Sequence, residues 1–164
     1  MSGSDEKKLA TVQMVDVGDK PPTSRRAVAE GWVALNEATF AALLAGEIPK
    51  GNVIAAAQIA GIQTAKRTSE LLPLCHPLGE ISGIEIALLP QPDSRHVQII
   101  ATVRAFGRTG VEMEALCGVT AAALCVYDMC KALDPTIEIG GIRLREKSGG
   151  KSGQWHNPSL SDNS

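Results

Sequence analysis

The chain has 164 residues, 44% of them apolar and 21% charged, which suits one globular domain of common size with a genuine core. Aromatic residues make up only 3%, too few for the platforms on which single-stranded nucleic acid stacks, and a formal net charge of −2 gives no global attraction to a polyanion. Nucleic acid is therefore not an expected partner, and any phosphate site must come from a local cluster of Lys and Arg.

Met1 to Lys8 is polar and charged with no apolar h-region, and no stretch approaches the roughly 20 apolar residues of a membrane span. A cytoplasmic protein that meets no membrane is expected. Val12 to Val17 and Ala27 to Leu35 have strand character, separated by the turn-rich Gly18 to Pro22. A first helix is predicted from Asn36 as N-cap to about Leu44, ending before Gly46. A second runs from Val53 to about Leu72, with Ile54, Ala57, Ile59, Ile62 and Ala65 apolar and Pro73 closing it. Ile84, Ile86 and Leu88 alternate with other residues, as do Val97, Ile99, Ala101 and Val103 beyond the Pro90 to Ser94 turn, so a hairpin follows. A third helix is predicted from Glu112 to Leu133, with Pro135 preventing further extension, and a last strand from Ile137 to Leu144.

Strand pairs interleaved with helices imply an α+β fold: a ferredoxin-like sandwich, with helices packed on one face of a mostly antiparallel sheet. The expected organisation is a flexible N-terminus over residues 1–8, one domain over 9–153 and a flexible tail over 154–164.

The four cysteines, Cys75, Cys117, Cys125 and Cys130, form no C-x-x-C pair and read as reduced, buried thiols. Cys75-His76 has no second ligand pair at zinc spacing, so no metal site is expected.

The third predicted helix carries acids near both ends. Glu114 and Asp128 fall within about 40° of each other on the helical wheel but about 21 Å apart along the axis, too far to meet on one reacting atom of one chain. Cys117, Gly118, Ala121 and Cys125 form a stripe of small residues between them, suited to a helix–helix contact, with Leu116, Val119, Ala123 and Val126 left to face the sheet. The plainer reading is electrostatic: Glu112 and Glu114 favour the positive helix N-terminus, and Asp128 with Lys131 makes an i,i+3 ion pair. His76 lies between Pro73 and Pro77, residues that fix an imidazole on a loop, although a packed histidine is the commoner fate. Basic residues gather at Arg25-Arg26, Lys50, Lys66-Arg67 and Lys147 to Lys151. The last stretch falls short of a P-loop, because Arg145 stands where a Walker glycine is needed and Gly153 and Pro158 discourage a following helix.

Three stretches, Met14-Val15-Asp16-Val17, Leu74-Cys75-His76-Pro77-Leu78, and Thr109 to Leu116 with Tyr127-Asp128-Met129-Cys130-Lys131, together resemble the cyclic pyranopterin monophosphate synthase family. This is the molybdenum cofactor biosynthesis protein C (MoaC) family, and the likeness extends from about residue 13 to Gly153. It implies a ferredoxin-like subunit in a homohexamer, a trimer of dimers with active sites at the dimer interface. It also implies a small-molecule substrate, (8S)-3′,8-cyclo-7,8-dihydroguanosine 5′-triphosphate, converted to cyclic pyranopterin monophosphate and pyrophosphate by a lyase. By the same likeness Leu74, Cys75, His76, Met113 and Glu114 contact substrate. It also implies Asp128 as the catalytic acid or base with Lys66 and Lys131 close by, and His76 and Glu112 complete the candidate catalytic set.

Opening and recyclising a purine ring needs protons moved on and off nitrogen and carbon, work for carboxylates, His and Lys of tuned pKa. Departing pyrophosphate needs fixed cations, for which Lys50, Arg25, Lys147 and Lys151 are the candidates. No resident cofactor is implied; Mg2+ would enter only with the triphosphate. The departures from the family pattern, Cys117-Gly118 and Gly79-Glu80, lie outside the catalytic set. Two rival readings are a non-catalytic nucleotide-binding regulatory oligomer and a purely structural oligomer.

Overall fold

The computed structural model describes residues 12–151 and 153–160. The order of elements is β1 (Thr23–Ala34), α1 (Glu37–Ala45), α2 (Val53–Lys66), α3 (Thr68–Leu71), β2 (Glu80–Gln91), β3 (His96–Gly107), α4 (Glu112–Cys130), β4 (Glu138–Ser148) and β5 (Trp155–His156), then a 3-10 turn at Pro158–Leu160. The strands make one antiparallel sheet in the order β2-β3-β1-β4-β5. This is the expected α+β arrangement.

Alternation along β3 sets the layers. Val97, Ile99, Ala101, Val103 and Ala105 are buried, while Gln98, Ile100, Thr102 and Arg104 point to the other, more open face. On the buried face lie α4, which contacts β1, β3 and β4, and α2, which contacts β2 and α4. Val119, Ala122, Ala123 and Val126 of α4 are wholly buried there. Among the described residues α4 is the helix long and apolar enough to cross a bilayer, but it is the core helix of the domain.

The helix ends follow local chemistry. The Asn36 side chain accepts from Thr39 N at 2.8 Å, and Gly46, with φ of 72°, closes α1 in the left-handed region. Asn52 caps α2 in the same way by accepting from Ala55 N. Asp134, fully buried behind α4, accepts from Asn36 N at 2.6 Å and from the Thr136 amide and hydroxyl. It thereby joins the α4–β4 turn to the β1–α1 turn.

Four expectations need correction. Val12 to Val17 is not a strand: Val12, Met14 and Val15 are exposed, and the segment ends in turns made by Gly18 N to Asp16 Oδ1 and Lys20 N to Val17 O. Its apolar spacing finds no neighbouring strand to supply a ladder. The second helix stops at Lys66 rather than Leu72, since the Thr68 hydroxyl donates to the carbonyls of Thr64 and Ala65, and Arg67 leaves helical geometry. α4 ends at Cys130, three residues early, in a turn where the amides of Leu133 and Asp134 share the Cys130 carbonyl. Finally, the chain after Gly153 is not free as far as Leu160, because Trp155 and His156 pair with Lys147 and Glu146. The expected flexible stretch 1–8 lies outside the described residues, as do 161–164 of the tail.

The close contact of α4 is with α2. A Cβ on Gly61 would stand 2.9 Å from the Gly118 carbonyl oxygen, and one on Gly118 would stand 3.1 Å from the tip of Ile86. The small residues thus serve a crossing within the chain, and only Gly118 of the stripe is fully at it; Cys117, Ala121 and Cys125 are half-buried and Asp128 is exposed. Gly61→Ala, which must displace backbone, is expected to lower the unfolding free energy by about 1–3 kcal/mol. Gly118→Ala, which meets a flexible side-chain end and gains about 1 kcal/mol of helix propensity, should be near neutral in the same denaturant titration.

Candidate active site

Because the sheet is antiparallel, the start of β1 and the ends of β3 and β4 meet at one edge: Thr23 opposes Gly107, and Arg26 opposes Ser148. α4 begins at that edge too, so its positive N-terminus joins them. Here a cavity of about 710 Å3 opens, lined by Gln13, Val15 and Val17, the starts of β1 and α4, Leu74, His76 and the loop Lys147 to Lys151. Six basic side chains line it, Lys20, Arg25, Arg26, Arg108, Lys147 and Lys151, against one acidic side chain, Glu112. Such a wall suits a polyanion with little further charge to compensate.

Glu112 is held in two ways. Its carboxylate accepts from Lys147 Nζ at 2.8 Å, and it folds back over Gly110, where a Cβ would come within 1.9 Å of Oε2. Arg25 is largely a strut, since Nε donates to Gly107 O at 3.2 Å and Nη2 to Arg108 O at 3.1 Å. Gly149 and Gly150 wrap closely around it with φ of 101° and 68°; a Cβ on Gly150 would meet Arg25 Nη1 at 1.9 Å. Glycine is required there both for the conformation and for the approach. Arg108 donates in turn to the Gly18 carbonyl, tying the 12–22 segment to the cavity rim.

Beside His76, the Cys75 thiol lies 3.8 Å from Glu114 Oε1. Glu114 is 2% exposed. Burial pushes its carboxyl above the ordinary range, partly offset by hydrogen bonding from its own backbone and from Cys75, and burial together with Glu114 pushes the Cys75 thiol up. The pair is therefore a buried carboxyl and thiol, each shifted upward, behind the cavity wall. Neither residue lines the cavity itself, and nor does the exposed Met113.

A second charged centre stands at the far end of α4. Asp128 Oδ2 accepts from Lys50 Nζ and Oδ1 from Lys131 Nζ, both at 2.8 Å. The ammonium groups of Lys131 and Lys50 hold the exposed Asp128 carboxyl down to about 2. Sixteen residues of helix separate Glu112 from Asp128, about 24 Å at 1.5 Å per residue. Lys66 is exposed at the end of α2 and outside the cavity lining. One chain therefore brings together Arg25, Leu74, His76, Glu112, Lys147 and Lys151, with Cys75 and Glu114 behind them, and leaves Lys50, Lys66, Asp128 and Lys131 elsewhere.

Sequence reasoning missed Arg108, Lys20, Gly110 and the cavity-lining role of Arg26. The Arg25-Arg26 pair was visible as a charge cluster, but Arg108 stood alone and only the sheet edge brings it to the loop.

A sequence model of the MoaC family matches residues 14–150, which includes every cavity-lining residue except Gln13 and Lys151. The chain belongs to the MoaC family. Among curated MoaC relatives, a cyclic pyranopterin monophosphate synthase of Chloroflexus aurantiacus is 53% identical over 146 residues, 89% of each chain. One from Pelotomaculum thermopropionicum is 53% identical over 141 residues, covering 86% of this chain and 82% of the relative. A molybdenum cofactor biosynthesis bifunctional protein of Synechococcus elongatus is 54% identical over 147 residues, 90% of this chain. The chain spans 46% of that longer protein's length.

The pair of lysines on Asp128 can be checked directly in this MoaC protein. Carbon-detected NMR titration of the Asp128 carboxyl should give a midpoint near 2, and Lys131→Met or Lys50→Met should each raise it toward 3.8. Since the folded value lies below the unfolded one, the favourable interaction is present above about pH 4 and fades as pH falls through 2.

Proposed function

We propose that the protein is a cyclic pyranopterin monophosphate synthase of molybdenum cofactor biosynthesis, a lyase that converts (8S)-3′,8-cyclo-7,8-dihydroguanosine 5′-triphosphate to cyclic pyranopterin monophosphate and pyrophosphate. The observation that carries the reading to the chemistry is the juxtaposition, in one cavity, of six basic side chains with His76 and the Glu112–Lys147 pair. A triphosphate matches the cations, and a purine undergoing ring opening needs the acid–base groups beside them.

In this reading Lys147, Lys151 and Arg108 hold the phosphates, and positive charge around the leaving pyrophosphate stabilises it as the sugar hydroxyl closes on the α-phosphorus. Arg25 supports the floor of the phosphate site through its carbonyl contacts. His76 and Glu112 exchange protons with the base, and Glu114, its carboxyl pushed up by burial, accepts from the Cys75 thiol behind the cavity wall. Asp128 is a carboxylate of about 2 and so a weak proton acceptor; its part is to hold the ammonium groups of Lys50 and Lys131 in place as donors.

The separation along α4 means that Asp128, Lys50 and Lys131 reach the substrate from a second copy of the chain. This reading accords with a homohexamer built from dimers with sites at the dimer interface. Lys66, at the end of α2 that lies beside the start of α4, is not part of this second-copy group.

The test is to incubate the purified protein with the cyclised dihydro-GTP and follow pterin and pyrophosphate together by mass spectrometry. Both products are expected from the unsubstituted protein, and neither from folded Asp128→Asn or Glu112→Gln variants. Mixing those two inactive variants after subunit exchange should restore part of the activity, because some sites then carry both native residues. Bound but unchanged substrate with the unsubstituted protein would favour a nucleotide-binding regulator instead. In the same assay Gly110→Ala, which must push Glu112 off Lys147, should lower kcat by about tenfold to a hundredfold while leaving the fold intact.

A further inference from the structure

The loop from Ser148 to Lys151 is carried by a hairpin with little ladder of its own. β5 pairs with β4 through only two residue pairs, Glu146 with His156 and Lys147 with Trp155, at the edge of the sheet. Two residues of antiparallel pairing are marginal in water, so side chains must supply the rest of the fastening.

Glu146 supplies it. Consecutive residues of a strand point to opposite faces, and while Lys147 turns to Glu112 in the cavity, Glu146 turns away from it. One carboxylate oxygen takes Arg26 of β1, and the other lies 3.3 Å from His156 Nδ1 of β5. One side chain thus links three adjacent strands. Beyond it Asn157 completes the return by donating from its amide to Arg145 O at 2.7 Å and from Nδ2 to Leu144 O at 2.9 Å. At the outgoing end of the loop, Gly149 and Gly150 press against Ser24 and Arg25, next to Arg26.

We propose that Glu146, which touches no cavity group other than Arg26, is a positioning residue: by clamping Arg26 and His156 to β4 it holds the glycine–lysine loop over the phosphate end of the cavity. The proposal rests on the reading of Lys147 and Lys151 as phosphate-binding groups. Removing the clamp loosens β5 and lets Lys151 of the loop move away from Lys147 of β4, which weakens binding of the polyanion and leaves the chemical step alone.

The experiment compares Glu146→Ala and His156→Ala with the unsubstituted protein in three measurements: hydrogen exchange, the dissociation constant for inorganic pyrophosphate, and steady-state kinetics. The expected result is faster exchange confined to residues 147–156, with the pyrophosphate dissociation constant and KM both raised about tenfold and kcat within about twofold. Should Glu146→Ala fail to fold, His156→Ala, which leaves the Arg26 contact intact, is read on the same criteria.

Unchanged exchange over 147–156 would overturn the clamp. Acceleration spread through β1, β3 and β4 would overturn it as well, marking a merely structural ion pair. Tighter pyrophosphate binding in Glu146→Ala would do so too, by showing that Glu146 restrains Arg26 rather than holding the loop. If the unsubstituted protein binds no pyrophosphate, the phosphate reading of Lys147 and Lys151 fails and takes this proposal with it.

Discussion

The seating of α4 on the sheet is the constraint from which the rest follows. Nineteen residues lie along β1, β3 and β4 with Ala115, Val119, Ala122, Ala123 and Val126 sealed beneath, and Gly118 meets Gly61 of α2 on the flank. A helix held along its whole length is a rigid spacer. It fixes Glu112 at the mouth of the cavity and Asp128 about 24 Å away, and no side-chain rearrangement within one chain can close that gap. The proposed two-chain site is the chemical consequence of a packing fact.

The two ends of that spacer are tuned in opposite directions. Glu114 at the N-terminal end is buried with a thiol for company, so its proton is retained more readily than in water. Asp128 at the C-terminal end sits in solvent between two ammonium groups, which hold its carboxyl down to about 2. Two carboxyls whose environments push them in opposite directions are suited to different parts in one reaction. The cavity adds a third environment, in which Glu112 is the lone acid among six bases.

Glycines do much of the positioning at the cavity, and for different reasons at each place. Gly149 and Gly150 need positive φ as well as room against Ser24 and Arg25, whereas Gly110 needs only the room that lets the Glu112 carboxylate fold over it. Arg25 is the counterpart: its guanidinium donates to the carbonyls of Gly107 and Arg108, so it shapes the floor on which Lys147 and Lys151 stand.

Much of this was legible in the chain itself, because some signals are local. Asn36 and Asn52 as caps, Gly46 as a stop, the alternation of Val97 to Ala105 and the small-residue run of α4 act within a few residues, so the α+β class and most elements follow from the sequence alone. Family resemblance in Leu74 to Leu78 and Thr109 to Leu116 likewise pointed to the activity. Where a residue's fate depends on a distant partner, sequence reading went astray or fell silent. Val12 to Val17 alternates like a strand but finds no ladder; Thr68 ends α2 through its hydroxyl; Trp155 and His156 become a strand only because β4 runs past them. Arg108 enters the site because antiparallel pairing delivers the end of β3 to the loop after β4. Local propensity was written in the sequence, and with it the helical spacing that keeps Glu114 and Asp128 apart. Which side chains share a cavity was decided by strand pairing across more than a hundred residues, a choice that no short window of sequence contains.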